Sequence, residues 1–393
     1  ELPNQEVETA GAAAAALREA GFEVHEKVGT TGVVGILRNG DGPIVLMRAD
    51  MDALPVAEAT GLPYASKRQA TDVAGEQVPV AHACGHDVHV TSLMAAARLL
   101  AAERDAWHGT FIALFQPAEE LGTGAREMVE AGLKALIPKP DVALAQHVLV
   151  YPAGHVGTHA GPFLSTAASL RVTVHGRGAH GSMPQLSVDP VVLASMIVVR
   201  LQTIVSREVA PDDFAVVTVG RLVAGTKSNI IPDHALIELN IRAYDDGMRR
   251  RLIDSIERIV KAECDASRAP QAPEFEVYDQ FPLTSNDPDV TAKVAAAFEA
   301  HFGPDRAFAA PRLSASEDFS DIPNAFGTPY TYWALGGIDE AEWRTAEAAG
   351  AIASIPANHS PKFAPVIEPT LETGTAAIVV AALAWLATSD TPA

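Results

Sequence analysis

The stretch Pro43-Ile44-Val45-Leu46-Met47-Arg48-Ala49-Asp50-Met51-Asp52 decides how this chain is read. Its first five residues are all apolar, as for a strand buried on both faces rather than on one. It then delivers two aspartates. A buried strand with polar groups at its carboxyl end belongs to an open α/β sheet, where ligands bind beyond the strand ends.

The flanking sequence repeats the pattern. Residues 5–20 read as a helix stopped by Gly21, a residue that helix C-termini favour. Residues 22–28 and 32–37 read as strands, and Asn39-Gly40-Asp41-Gly42 as a hairpin turn. Residues 90–102 read as a helix and 110–115 as a buried strand running into Gln116-Pro117-Ala118-Glu119-Glu120. Residues 124–131 form a helix ended by Gly132, and 141–145 an apolar strand ending in Gln146-His147. Alternating strands and helices predict an α/β domain whose largely parallel sheet carries helices on both faces.

The pattern changes after about Phe163. Strands at 169–174, 214–222, 235–241 and 274–278 are interleaved with helices at 188–207 and 246–263. That βαββαβ order is ferredoxin-like. Helix 287–302, strand 329–334 and helix 368–386 then resume the first pattern. The predicted organisation is a discontinuous α/β domain, residues 1–162 and 284–393, interrupted by a smaller domain, residues 163–283.

Composition narrows the function. The chain has 393 residues, 48% hydrophobic and 20% charged, an ordinary globular balance. Its net charge of -20 opposes binding to phosphate backbones, so nucleic acid is not an expected partner. No uninterrupted apolar run reaches the ~18 residues of a membrane span. The Ala-rich start, Ala12 to Ala16, is flanked by charge and reads as a helix, not a signal peptide. Two cysteines, Cys84 and Cys264, favour a reducing, cytoplasmic setting.

Chemistry concentrates in His82-Ala83-Cys84-Gly85-His86-Asp87-Val88-His89. Thiolate and imidazole bind borderline-soft divalent metals. Cys84 and His86 cannot close a site alone. One of the adjacent Glu119 and Glu120, together with His147, completes a ligand set, since neighbouring side chains diverge and only one suits the same ion. The other glutamate is then placed to hold a water, whose pKa a metal lowers towards 7, and to move its proton. An aspartate beside a ligating imidazole orients it. His82 and His89 read as supporting or helix-terminal groups, Asp50 as a support or turn cap, and Glu317 and Asp318 as caps.

Five motifs, in order along nearly the whole chain, resemble the aminoacylase/carboxypeptidase family of two-metal amidohydrolases, in the branch with hippurate hydrolase and indole-acetyl-amino-acid hydrolases. They are Met47 to Pro55, His82 to His89, Phe115 to Glu120, Ser316-Glu317-Asp318-Phe319 and His359-Ser360-Pro361-Lys362-Phe363. The resemblance implies Cys84, His86, Glu120, His147 and His359 as ligands of two divalent ions, zinc or manganese, with nickel or cobalt also in the family's range. It implies Glu119 as general base, Asp52 as the supporting aspartate, and the smaller domain as a lid that also forms a homodimer. Within the lid, His180 resembles a histidine that polarises the scissile carbonyl, and Asn229 and Arg242 resemble substrate-gripping residues. Gly181, Ser182 and Gln185 depart from the family's lid pattern. The implied activity is hydrolysis of N-acyl or N-aroyl amino acids, small-molecule substrates, by metal-activated water. Peptidase or N-acetyl-amino-acid deacetylase activity on the same site is the alternative, and a binding protein that has lost catalysis is the rival from another class.

Overall fold

The computed structural model describes residues 1–388, which form two compact units. One comprises Glu1–Phe163, Thr284–Arg312 and residues 318–388; the other comprises Leu164–Leu283 with Leu313–Glu317.

The first unit is built on an eight-stranded sheet. Its spatial order is Glu23–Val28, Gly32–Asn39, Gly109–Gln116, Ile44–Asp50, Val142–Pro152, Tyr330–Ile338, Val156–Thr158 and Ala307–Ala309. The four central strands, from Gly109–Gln116 to Tyr330–Ile338, run parallel. Alternate residues Val45, Met47, Ala49, Phe111, Ala113 and Phe115 join one core with helices Val7–Glu19, His86–Ala102 and Thr370–Leu386. The opposite face, with Leu46, Ile112 and Leu114, is equally buried. Helix Gly124–Glu130 covers part of it, with Met128 against Gly32. Each fully buried aliphatic or aromatic side chain contributes about 1.5–3 kcal/mol of transfer free energy. The sheet is therefore a rigid base for whatever its strand ends carry.

Three expectations are corrected. Asn39-Gly40-Asp41-Gly42 does not close a hairpin: strand Gly109–Gln116 lies between the two strands it joins. The Asn39 amide instead donates to the carbonyls of Arg104 and Trp107, tying the turn to the entry of that intervening strand. The parallel pair is completed by the crossover helix His86–Ala102, the connection that parallel strands require. That helix begins four residues earlier than its apolar periodicity indicates, because Gly85 takes a left-handed φ of +83° ahead of it. A Cβ at Gly85 would lie 2.4 Å from the Val148 side chain, so the turn needs glycine. Finally, His147 sits in mid-strand, since Val142–Pro152 continues past it in register with Tyr330–Ile338.

The second unit is a four-stranded antiparallel sheet, ordered Ala215–Ala224, His234–Ala243, Thr166–His175, Glu274–Phe281. Helices Pro190–Thr203 and Asp246–Ala266 pack on it through Leu193, Ile197, Leu201, Leu252, Ile256 and Val260. This is the ferredoxin-like order. Asp189 caps the first helix by accepting from the Val191 and Val192 N–H groups, with Pro190 in the first turn. Strand Ala215–Ala224 is a sheet edge. Pro190–Glu208 has the length and hydropathy of a membrane span, which a reading by uninterrupted runs passes over. Its inner face belongs to this unit's core, while Val192, Met196 and Val199, at helical spacing, are exposed. Leu313–Glu317 rejoins this unit through a bridge between Leu164 and Leu313 and a bond from the Ser165 N–H to the Ala315 carbonyl.

Candidate metal centre

Four loops and one strand of the first unit supply the site. Asp50 and Asp52 leave the end of Ile44–Asp50 fully buried. Cys84 and His86 flank Gly85, so the tight turn sets thiol and imidazole side by side. Glu119 and Glu120 follow Ala118, whose left-handed φ of +48° turns the chain sharply off strand Gly109–Gln116. Gly124 lets the next helix start against that turn: a Cβ there would stand 1.6 Å from the Pro117 carbonyl oxygen. His359, also left-handed at φ +71°, donates its N–H to the Ala83 carbonyl at 2.7 Å.

These residues converge. Cys84 Sγ lies 3.4 Å from His147 Nε2. Glu120 Oε2 lies 3.3 Å from His359 Nε2. From His86 Nε2, Glu119 Oε2 is 3.8 Å away and Glu120 Oε1 3.9 Å. Ligand atoms of Cys84, Glu120 and His359 fall within 4.8 Å of one another, and so do those of His86, Glu119 and Glu120. Glu120 belongs to both groups. All five residues implied as ligands, together with Glu119, thus come together.

The imidazoles are oriented for coordination. Asp52 Oδ1 lies 3.3 Å from His86 Nδ1, and its other oxygen accepts from the Glu120 N–H at 2.9 Å. His147 Nδ1 is 2.8 Å from the Val148 carbonyl oxygen. A carbonyl oxygen or a carboxylate takes a proton at Nδ1, so Nε2 is the nitrogen each ring would turn to a metal. His86 Nε2 and Glu120 Oε1 are buried without a hydrogen-bond partner among the described residues. Buried polar atoms of native proteins are nearly always paired, so two orphans aimed at one cluster of thiol, imidazole and carboxylate fit a cation.

Electrostatics agree. Burial would push the Asp50 carboxyl up, but Arg48, with His86 and His89, outweighs it and holds the group well below its usual range. Burial depresses His86, yet Asp50, Cys84 and the Asp52 hydrogen bond raise it well above its ordinary value. Hydrogen bonds to Cys84 and Glu120 raise His359 to about 10. Burial, reinforced by His89, pushes His147 well down. Without metal, the anionic side of the cluster holds protons on His86 and His359, where ligand bonds would replace them.

Asp50 and His89 also lie near His86 and His147, with Asp50 Oδ2 3.5 Å from His86 Nε2, but the hydrogen bonds of both are made to other partners. His89 Nδ1 is 2.5 Å from Asp50 Oδ1, and its Nε2 accepts the Val148 N–H at 2.8 Å. Asp50 Oδ2 accepts from buried Arg48 at 2.8 Å. Asp318 accepts from Gln116 at 2.6 Å and from the Ala125 N–H at 3.0 Å, so it holds the glutamate-bearing segment from both sides. Asn358 donates to the carbonyls of Cys84 and Val148 at 3.1 and 3.0 Å. His82 stays outside these groups and lines a surface pocket with Tyr64 and Phe363. Its amide also reaches Cys84 Sγ at 3.8 Å. Sequence reasoning misses Asn358 because these partners lie far along the chain; its place next to His359 is the one available hint.

His180, Asn229 and Arg242 lie in the second unit. His180 is exposed on the short strand Ala179–His180, and its Nδ1 accepts from the Ser182 N–H at 3.2 Å with Ser182 Oγ at 2.7 Å. The ring proton is therefore on Nε2. The Asn229 carbonyl accepts from the Gly181 N–H at 2.8 Å. Arg242 donates to Asn240, to the Ser314 carbonyl and to Ser316. These contacts leave part of its five-donor guanidinium for a ligand.

Comparison with known proteins gives a consistent result. Residues 46–381 match the family model described as peptidase family M20/M25/M40. The chain is 40% identical over 269 residues to a hippurate hydrolase of Campylobacter jejuni, covering 68% of this chain and 67% of that protein. It is 38% identical over 299 residues to thermostable carboxypeptidase 2 of Saccharolobus solfataricus, covering 75% and 73%. Among solved structures, a Bacillus subtilis protein described as a dinuclear metal-binding peptidase from the M20 family superposes with a TM-score of 0.76 at 28% identity, over 98% of this chain and 93% of that one.

Proposed function

The chain belongs to peptidase family M20/M25/M40, and from that membership and the geometry of its site we propose how it works. It is a metal-dependent hydrolase of N-acyl amino acids. Cys84, His86, Glu120, His147 and His359 are the residues that would hold a pair of divalent ions, zinc or manganese before nickel or cobalt. When bound, such ions polarise a carbonyl and bring the pKa of a water close to 7. Asp52 keeps the His86 proton on Nδ1, and Glu119 takes the water's proton and returns it to the leaving nitrogen. In this reading His180 donates from Nε2 to the oxygen of the reacting carbonyl, while Asn229 and the remaining donors of Arg242 grip the substrate.

The observation that carries this reading is the pair of orphaned ligand atoms, His86 Nε2 and Glu120 Oε1, with the Glu119 carboxylate beside them. The experiment is a panel assay on manganese- or zinc-loaded protein with hippurate, an N-acetyl amino acid, an indole-acetyl amino acid and an unblocked dipeptide. Turnover of acylated substrates over the dipeptide supports the reading. Preference for the dipeptide favours the peptidase alternative, for which the similarity to a carboxypeptidase speaks. No turnover of any of them with both metals would overturn both in favour of a binding protein.

We further infer a homodimer formed through the second unit. Val192, Met196 and Val199 make an exposed apolar stripe, and the edge strand Ala215–Ala224 offers unpaired backbone groups for a two-fold contact. We assign the protein to the cytoplasm because Cys84 must stay reduced to serve as a thiolate.

A further inference from the structure

We propose that Glu6 is a positioning residue for Glu119, holding by its carboxylate the left-handed peptide from which the two glutamates project. The inference rests on the reading of Glu119 as the proton carrier. Glu6 precedes helix Val7–Glu19, far from every motif, and is fully buried. Its Oε1 accepts the Ala118 N–H at 3.0 Å and the Asn4 N–H at 2.8 Å, and its Oε2 accepts from Thr31 Oγ1 at 2.5 Å.

Ala118 is itself fully buried, and left-handed φ is uncommon outside glycine. Such a turn persists only where its surroundings over-determine it. Glu6 does this on one side of Glu119. On the other side Asp52 accepts the Glu120 N–H. The proton carrier therefore sits between two peptides, each clamped by a buried carboxylate. The same N-terminal segment reaches the second clamp, because the Glu1 carbonyl accepts the Ala53 N–H at 2.7 Å. Glu1 to Glu6 thus brace both loops that carry the reacting groups.

Ala118, Asn4 and Thr31 all offer Glu6 neutral donors, so what it supplies to them is reach and acceptor geometry, not charge. Burial raises its carboxyl against those bonds, and the Asp52 charge adds to the rise. Glutamine at this position keeps Oε1 for Ala118 and Asn4 and can donate to Thr31 from its amide. Aspartate keeps the charge but withdraws the acceptor by one methylene.

The test compares Glu6→Gln with Glu6→Asp in the full metal-loaded chain. kcat, KM, metal content and amide exchange over residues 117–120 are measured for each. Glu6→Asp should lower kcat about 10- to 100-fold, as a displacement on the order of 1 Å does, with KM and metal content held. Its Ala118 amide should exchange faster. Glu6→Gln should stay close to wild type in every readout. Leu17→Ala, which empties the core beneath the same helix, controls for stability and should leave kcat unchanged. Wild-type kcat in Glu6→Asp, or equal loss in Glu6→Gln, would overturn the proposal. Loss of kcat in Leu17→Ala to the same degree would overturn it too. Should Glu119→Gln retain turnover, the reading of Glu119 falls instead, and protection of the Ala118 amide still decides whether Glu6 holds that turn.

Discussion

Replacing Asp52 by asparagine changes one atom of a fully buried side chain, and its consequence can be worked through both orientations. The carboxylate serves two donors, the His86 Nδ1–H at 3.3 Å and the Glu120 N–H at 2.9 Å. If the asparagine oxygen faces His86, its amide NH2 meets the Glu120 N–H, donor against donor. A buried donor left without a partner costs about 1–3 kcal/mol. If the oxygen faces Glu120, the NH2 donates to His86 Nδ1, and the imidazole proton moves to Nε2, the atom needed for the metal. Either way a ligand is displaced or blocked. Loss of such an outer partner weakens metal binding about 10–100-fold, or about 1.4–2.7 kcal/mol. Competition with a fluorescent chelator at neutral pH reads this directly, with circular dichroism reporting the fold. Wild-type affinity in Asp52→Asn would refute the role given to Asp52 and, with it, the assignment of His86 Nε2 as a ligand atom.

His180→Ala should lower the rate about 10²–10³-fold with metal content unchanged, the typical loss for one preorganised donor; mixed dimers with Glu119→Gln subunits regain activity only if the histidine acts in trans. Charging the exposed apolar stripe, as in Met196→Glu with Val199→Glu, should give a folded monomer by analytical ultracentrifugation; an unchanged dimer would place the interface elsewhere. Metal uptake at neutral pH should release protons, seen by calorimetry in buffers of different ionisation enthalpy, because His359 in the metal-free protein holds its proton to about 10. The sign follows from a raised folded-state pKa. The proton's contribution to metal-free stability is complete below about 6.5 and is lost as pH rises through about 10, so apparent metal affinity climbs with pH over that window.

The candidate ligand types were legible because metal chemistry restricts them. Cys84 and His86 across Gly85, and two adjacent glutamates after a buried strand, together suit coordination and proton transfer. The α/β pattern and the βαββαβ order were legible from periodicity alone. What escaped was set by partners distant in sequence. The turn at Asn39–Gly42 has hairpin chemistry, yet the strand that separates its arms begins only at Gly109. The helix carrying His86 starts in a polar stretch, where apolar periodicity gives no sign of it. His89 has the look of a ligand, and only its bonds to Asp50 and the Val148 N–H show both nitrogens engaged. Glu6 resembles any acidic residue ahead of a helix until Ala118, 112 residues away, is seen to need it.

The division of labour between the adjacent glutamates is tested most directly by Glu119→Gln, assayed for metal and turnover on one preparation. It should keep two ions per chain by elemental analysis and lose turnover of its best acylated substrate by about 10²–10⁴-fold, the usual worth of a positioned proton carrier. Wild-type turnover, or loss of metal in step with activity, would contradict the assignment of Glu119 as base and Glu120 as ligand.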